Sequence, residues 1–97
     1  MLSGKQKRYL RSLGNELLPI IQVGKGGISE NLLKQVEDAL EARELIKGRV
    51  LNNCLEEPEE VADKLAAEVG AELVQVIGRN FLLYKRAKEN QVIKLPQ

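Results

Sequence analysis

The order of segments predicts an α/β chain of the α+β, two-layer kind, with helices packed on a four-stranded mixed sheet. Three observations lead there. Two stretches carry apolar residues at three-and-four spacing, short β-branched or alternating runs lie between and after them, and Gly or Pro separates each stretch from the next. The predicted order is helix, strand, helix, strand, helix, strand, strand. Strands that alternate with helices favour crossover connections, and a final strand pair favours a hairpin, so the sheet should contain both parallel and antiparallel neighbours. A length of 97 residues leaves room for one domain, residues 1–97. With 43% hydrophobic and 30% charged residues the chain can bury a core and is too mixed to read as disordered.

The first helix starts from a capping box, Ser3 followed three residues later by Gln6, and runs to about Asn15. Leu10, Leu13 and Leu17 give it an apolar side; Lys5, Lys7, Arg8 and Arg11 give it a basic one. Pro19 ends any helix, and residues 19–23 are short and β-branched, as in a first strand. Gly24-Lys25-Gly26-Gly27 breaks that strand. Ser29 caps the second helix, Ile28 can staple onto Leu33, and Leu32, Leu33, Val36, Ala39 and Leu40 form one apolar stripe.

Residues 45–51 alternate as a strand, with Leu45, Lys47, Arg49 and Leu51 on one side and Ile46, Gly48 and Val50 on the other. Gly48 weakens the strand and permits a close approach. The third helix has Pro58 at its first position, Glu59, Glu60 and Asp63 near its positive end, a buried stripe of Val61, Ala62, Leu65, Ala66 and Val69, and Gly70 as its stop. Residues 73–77 and 81–85, separated by Gly78-Arg79-Asn80, read as a hairpin. Residues 88–97 read as a loose tail that Val92, Ile93 and Leu95 could fasten.

Composition weighs against catalysis. The chain has no histidine and one cysteine, Cys54, so the usual general base and zinc ligand are missing and the thiol has no base to activate it. Cys54 is expected to be a partly buried apolar residue in a reducing compartment. The acidic cluster Glu56, Glu57, Glu59 and Glu60 reads as a solvated helix start that complements the dipole, with no metal and no cofactor assigned. The apolar runs fall far short of the roughly 20 residues of a membrane span, and the basic start lacks a signal-peptide core, so the expected location is the cytoplasm.

The net charge of +1 conceals a segregation. Residues 1–28 carry Lys5, Lys7, Arg8, Arg11 and Lys25 against Glu16, a net +4; residues 29–72 carry −7; residues 73–97 carry Arg79, Lys85, Arg86, Lys88 and Lys94 against Glu89, again +4. Such a division predicts one positive face suited to a polyanion. Segregation can also arise by chance on a solvated surface.

Three glycines between a strand and a helix let the backbone approach a ligand, and the helix N-terminus that follows favours an anion such as phosphate. A tight strand-to-helix turn explains the same glycines. Nucleotide-binding loops fail on detail: a Walker loop needs Gly-Lys-Ser/Thr after four spacer residues and a dinucleotide loop needs G-x-G-x-x-G, whereas Ile28 and Ser29 follow Gly27 here. With Tyr9, Phe81 and Tyr84 as the only aromatics, a platform that stacks several bases is not expected, and recognition of the backbone of structured RNA fits better.

Taken together, residues 3–11, Pro19-Ile-Ile-Gln-Val-Gly-Lys-Gly-Gly27, Ala39-Leu-Glu-Ala-Arg-Glu-Leu-Ile-Lys47, Val74-Gln-Val-Ile-Gly-Arg79 and Leu83-Tyr-Lys85 resemble the CRM domain in its stand-alone bacterial YhbY form over nearly the whole chain. The resemblance implies a fold similar to the C-terminal domain of translation initiation factor 3, with strand order 1-2-4-3. It also implies association with ribosomal RNA in the precursor of the large ribosomal subunit, as a ribosome assembly factor; plant relatives use the domain in organellar intron splicing. By position, Gly24, Lys25, Gly26 and Gly27 would form the RNA-contacting GxxG loop, with Lys5, Lys7, Arg8, Arg11, Arg79, Lys85 and Arg86 as a broader surface. Arg43 and Gly48 depart from the His and Val frequent in the motif; arginine keeps positive charge there. A monomer is expected. A different reading, an adaptor whose acidic helices contact a basic protein through Glu37, Glu41, Glu59 and Glu60, would be indifferent to Lys25→Glu.

Overall fold

Seven elements form in the expected order: α1 (Gly4–Gly14), β1 (Ile21–Val23), α2 (Glu30–Arg43), β2 (Leu45–Val50), α3 (Pro58–Val69), β3 (Glu72–Ile77) and β4 (Asn80–Tyr84). They are taken from a computed structural model that describes residues 2–97. Local chemistry sets the boundaries. The Ser3 hydroxyl accepts from the Gln6 amide while the Gln6 side chain accepts from the Ser3 amide, which closes the capping box of α1. Ser29 accepts from the Leu32 amide at the start of α2. Pro58 opens α3, and Gly70, with φ 69°, closes it.

The sheet order is β1-β2-β4-β3, with β1 parallel to β2 and the other two pairs antiparallel. The first strand is shorter than expected and begins at Ile21, two residues after Pro19; the Ile20 amide still donates to the Lys47 carbonyl at 2.9 Å. Residues 51–57 connect the end of β2 to α3.

The pleat of β2 divides the core, because neighbouring side chains leave a strand on opposite faces. Ile46 and Val50 join Val36, Leu40, Leu65 and Phe81 beneath α2 and α3. Leu45 joins Leu10, Val74, Leu82 and Tyr84 beneath α1, where Ile93 and Leu95 of the C-terminal segment add cover. Gly48 is explained by its partner strand: a Cβ there would lie 2.2 Å from Cζ of Phe81, whose ring fills the space a valine side chain would need. Burial of that ring contributes roughly 1.5–3 kcal/mol, which offsets the flexibility that glycine brings to a strand.

Residues 88–97 form no helix or strand, and their backbone is tied to the body at both ends. Glu44 and Glu41 hold residues 87–93, while Gln6 and Lys5 donate to the carbonyls of Pro96 and Gln97. No helix among the described residues is long and apolar enough to cross a membrane.

Candidate nucleic-acid interface

The glycine loop lies where β1 ends. The Gly27 amide donates to the Gly24 carbonyl at 3.0 Å, which closes a turn with Lys25 and Gly26 at its exposed tip. Gly27 has φ 64°, a value that L side chains adopt rarely, so the turn requires glycine at that position. A Cβ on Gly26 would meet nothing within 4 Å, so the backbone there is open to a ligand. Lys25 takes part in no ion pair among the described residues. Beyond the turn, Ser29 satisfies the Leu32 amide, and the amides of residues 30 and 31 remain without intrahelical acceptors, as at any helix start.

An acid adjoins this loop. The Glu56 Oε2 would lie 3.8 Å from a Cβ on Gly27, and its other oxygen pairs with the Lys64 ammonium, which is held strongly protonated by that hydrogen bond and charge. Lys64 offsets the charge of Glu56 there, and Lys25 carries a positive charge at the exposed tip of the turn.

β2 brings a further cation, Arg49, to the same end of the sheet. Val23 aligns with Val50, and Leu51 donates to the Val23 carbonyl, so the loop and the end of β2 are neighbours. Arg49 aligns with Gln22 on one side and Asn80 on the other, and it is exposed. Lys47, two residues earlier, projects from the same face. Neither belongs to an ion pair among the described residues. Their alternation with Leu45 and Leu51 was visible in the sequence; the proximity of Arg49 to the loop depends on β1–β2 pairing, which no local pattern specifies.

Arg79 also reaches this end, and much of its donor capacity is spent within the protein. Its Nε donates to the Val50 carbonyl at 2.6 Å and one terminal nitrogen to the Leu51 carbonyl at 2.8 Å, clamping the β3–β4 turn against the end of β2. The residue therefore shapes the surface and adds positive charge to it.

The expectation that both chain ends join the loop in one cationic platform needs correction. Lys85 and Arg86 follow β4, whose last residue Tyr84 aligns with Leu45 at the start of β2, the opposite end of the sheet. Five strand steps of about 3.3 Å place them roughly 17 Å from the loop end. Lys85 donates to the Val69 carbonyl at 2.8 Å, capping the end of α3, and Arg86 donates to the Gln91 side chain at 3.0 Å. The cations of α1 run between the two ends. Lys5 lies by the Gln97 carbonyl, near the start of the helix, where Leu2 meets Glu72; Gly14 at the other end packs on Leu82, and Arg11 is one turn before it. Lys7 and Arg8 lie between, Arg8 exposed and Lys7 half-buried.

The aromatic residues form no stacking platform. Phe81 and Tyr84 are buried, and Tyr84 has its phenol pushed upward by burial and by the charge of Glu44. Cys54 is buried as a small apolar group.

The family described as CRS1 / YhbY (CRM) domain matches residues 2–85. The chain belongs to this family. The CRM chain is 55% identical over 96 residues to the "Probable RNA-binding protein YqeI" of Bacillus subtilis, covering 99% of this chain and 100% of the relative. It is 35% identical to a protein named "RNA-binding protein" from Haemophilus influenzae, with 99% and 96% covered. The solution structure of SAV1595 from Staphylococcus aureus, 54% identical, superposes with a TM-score of 0.82 and covers 99% of this chain and 100% of that one. The CRM fold and the order 1-2-4-3 expected from the motifs are therefore those of the molecule.

Proposed function

We propose that this CRM domain binds structured RNA through its sugar-phosphate backbone, with the turn at residues 24–27 as the principal contact. The observation that carries the reading is the exposed Lys25, in no ion pair among the described residues, on an open glycine turn beside Arg49 at one end of the sheet, with Lys47 farther along the same face. Relatives named as RNA-binding proteins support it. Phosphate recognition suits this chemistry: free amides and mobile cations match phosphate oxygens, and the surface lacks the aromatic platform that successive base stacking requires. The cations of α1 extend the surface, and Lys85 and Arg86 contribute only through longer-range attraction. The RNA is ribosomal, in the precursor of the large subunit, and the protein acts there as a cytoplasmic, monomeric assembly factor without catalytic activity.

The reading predicts that affinity for a structured ribosomal RNA fragment falls steeply with salt, since each neutralised phosphate releases counterions. Lys25→Glu should weaken binding by about tenfold and flatten the salt slope by about one contact, measured by fluorescence anisotropy across a salt series. Unchanged affinity would remove the turn from the interface. Cross-linking in cells followed by sequencing of the attached RNA tests the ribosomal assignment, and reads spread evenly over messenger RNA would defeat it.

A further inference from the structure

Between the end of α1 and the open face of the sheet lies a cleft of about 110 Å³, lined by Asn15, Lys47, Gln75, Ile77, Asn80 and Leu82. This volume is far more than the ~10–15 Å³ that one water needs. Its chemistry is mixed in a particular way. Three side-chain amides offer donors and acceptors in planar pairs, Lys47 adds a cation, and Ile77, 62% exposed, leaves an apolar surface at the rim. Asn80 contains the one buried side-chain oxygen or nitrogen among the described residues that has no hydrogen-bond partner, its Oδ1. An acceptor shielded from water without a partner is costly, and the terminal torsion of asparagine is soft, so a donor arriving in the cleft can draw this oxygen toward itself.

We propose that this cleft receives one unpaired nucleobase of the bound RNA. Every base carries an N–H donor on its pairing edge together with at least one acceptor, which is the complement of an amide, and a planar ring can lie against Ile77 and Leu82. Position agrees with chemistry: Asn80 begins β4 at the end of the sheet where the glycine turn lies, and Arg49, its partner in β2, stands between the cleft and that turn. A strand gripped by its phosphates at residues 24–27 can therefore turn a base into the cleft. The proposal rests on the RNA-binding reading and adds to it that the domain recognises a bulged or looped nucleotide as well as backbone.

The test compares two RNA duplexes that differ at one place, a single-nucleotide bulge carrying its base and the same bulge made abasic. Fluorescence anisotropy with the full chain should give about tenfold tighter binding to the base-bearing bulge, and Asn80→Ala and Gln75→Ala should each reduce that preference while leaving the affinity for the abasic duplex unchanged. The wild-type comparison needs no variant, so a poorly folded Asn80→Ala protein does not decide the matter. Equal, salt-sensitive binding of both duplexes would overturn the cleft proposal and leave the backbone reading standing. Failure to bind either duplex at low salt would overturn both.

Discussion

Glu44 has a positive φ, 65°, directly after α2, a backbone conformation that L side chains adopt rarely. Its side chain compensates. Fully buried, the carboxylate accepts from the amides of Ala87 at 2.8 Å, Val92 at 2.7 Å and Ile93 at 2.8 Å, and its backbone carbonyl accepts from Lys85 at 2.9 Å. One residue thus ties the end of α2 to the end of β4 and to the C-terminal segment. Burial alone would push this carboxyl up; the three amides and the charge of Arg86 outweigh it, and the group titrates below the ordinary range. A folded-state pKa below the unfolded value means that the stabilisation is present above about pH 4.3 and is lost as pH falls through the lower folded value. Glu44→Gln, which turns one acceptor into a donor among three donors, should cost on the order of 2 kcal/mol in chemical denaturation and speed amide exchange at Val92 and Ile93. It should also flatten the acid limb of the stability curve, and an unchanged limb would assign that limb to another group, such as Glu41, which the amides of Lys88 and Glu89 also lower.

At the scale of elements, the hairpin β3–β4 does more than complete the sheet. Its turn residue Arg79 grips the carbonyls of Val50 and Leu51, where β2 gives way to the segment that lies beside the glycine turn. The hairpin is thereby a brace for that surface. Arg79→Met keeps the length of the side chain and removes the donors, so that the Val50 carbonyl loses this partner and the Leu51 carbonyl retains only the Cys54 amide. The expected cost is about 2 kcal/mol, with faster exchange of the Cys54 amide, which donates to Leu51 at 3.0 Å. Full stability in this variant would mean that the clamp contributes nothing.

For the molecule as a whole, what matters is which cations share an end of the sheet. The separation of roughly 17 Å along β2 exceeds the Debye length of about 8 Å at physiological salt, so the two ends act on a bound polyanion almost independently. Neutralising Arg49 to Gln should therefore weaken RNA binding by about tenfold and reduce the salt slope by about one, whereas Arg86→Gln should change affinity less than twofold at physiological salt. Equal losses from the two variants would mean that the RNA spans the whole sheet. The acidic outer faces of α2 and α3 account for most of the negative middle of the chain, and their charge repels a polyanion from that side of the molecule.

Much of this was legible in one dimension, because helix caps, apolar spacing and turn residues act over three or four positions. Ser3 with Gln6, Ser29, Pro58 and Gly70 marked their helix ends, and the alternation along residues 45–51 divided the two faces of β2 correctly. The glycine turn was visible for the same reason. What remained hidden depended on partners far away in sequence. Glu44 acquires its role from amides 43 to 49 positions later, Gly48 from the ring of Phe81, and Arg49 from the parallel pairing that sets it beside residue 24. Charge segregation announced a cationic surface, but Lys85 and Arg86 went to the other end of the sheet because an antiparallel strand that begins beside the glycine turn must finish away from it. Local chemistry determined the elements and the loop; the topology of the sheet alone decided which charges the loop would keep for company.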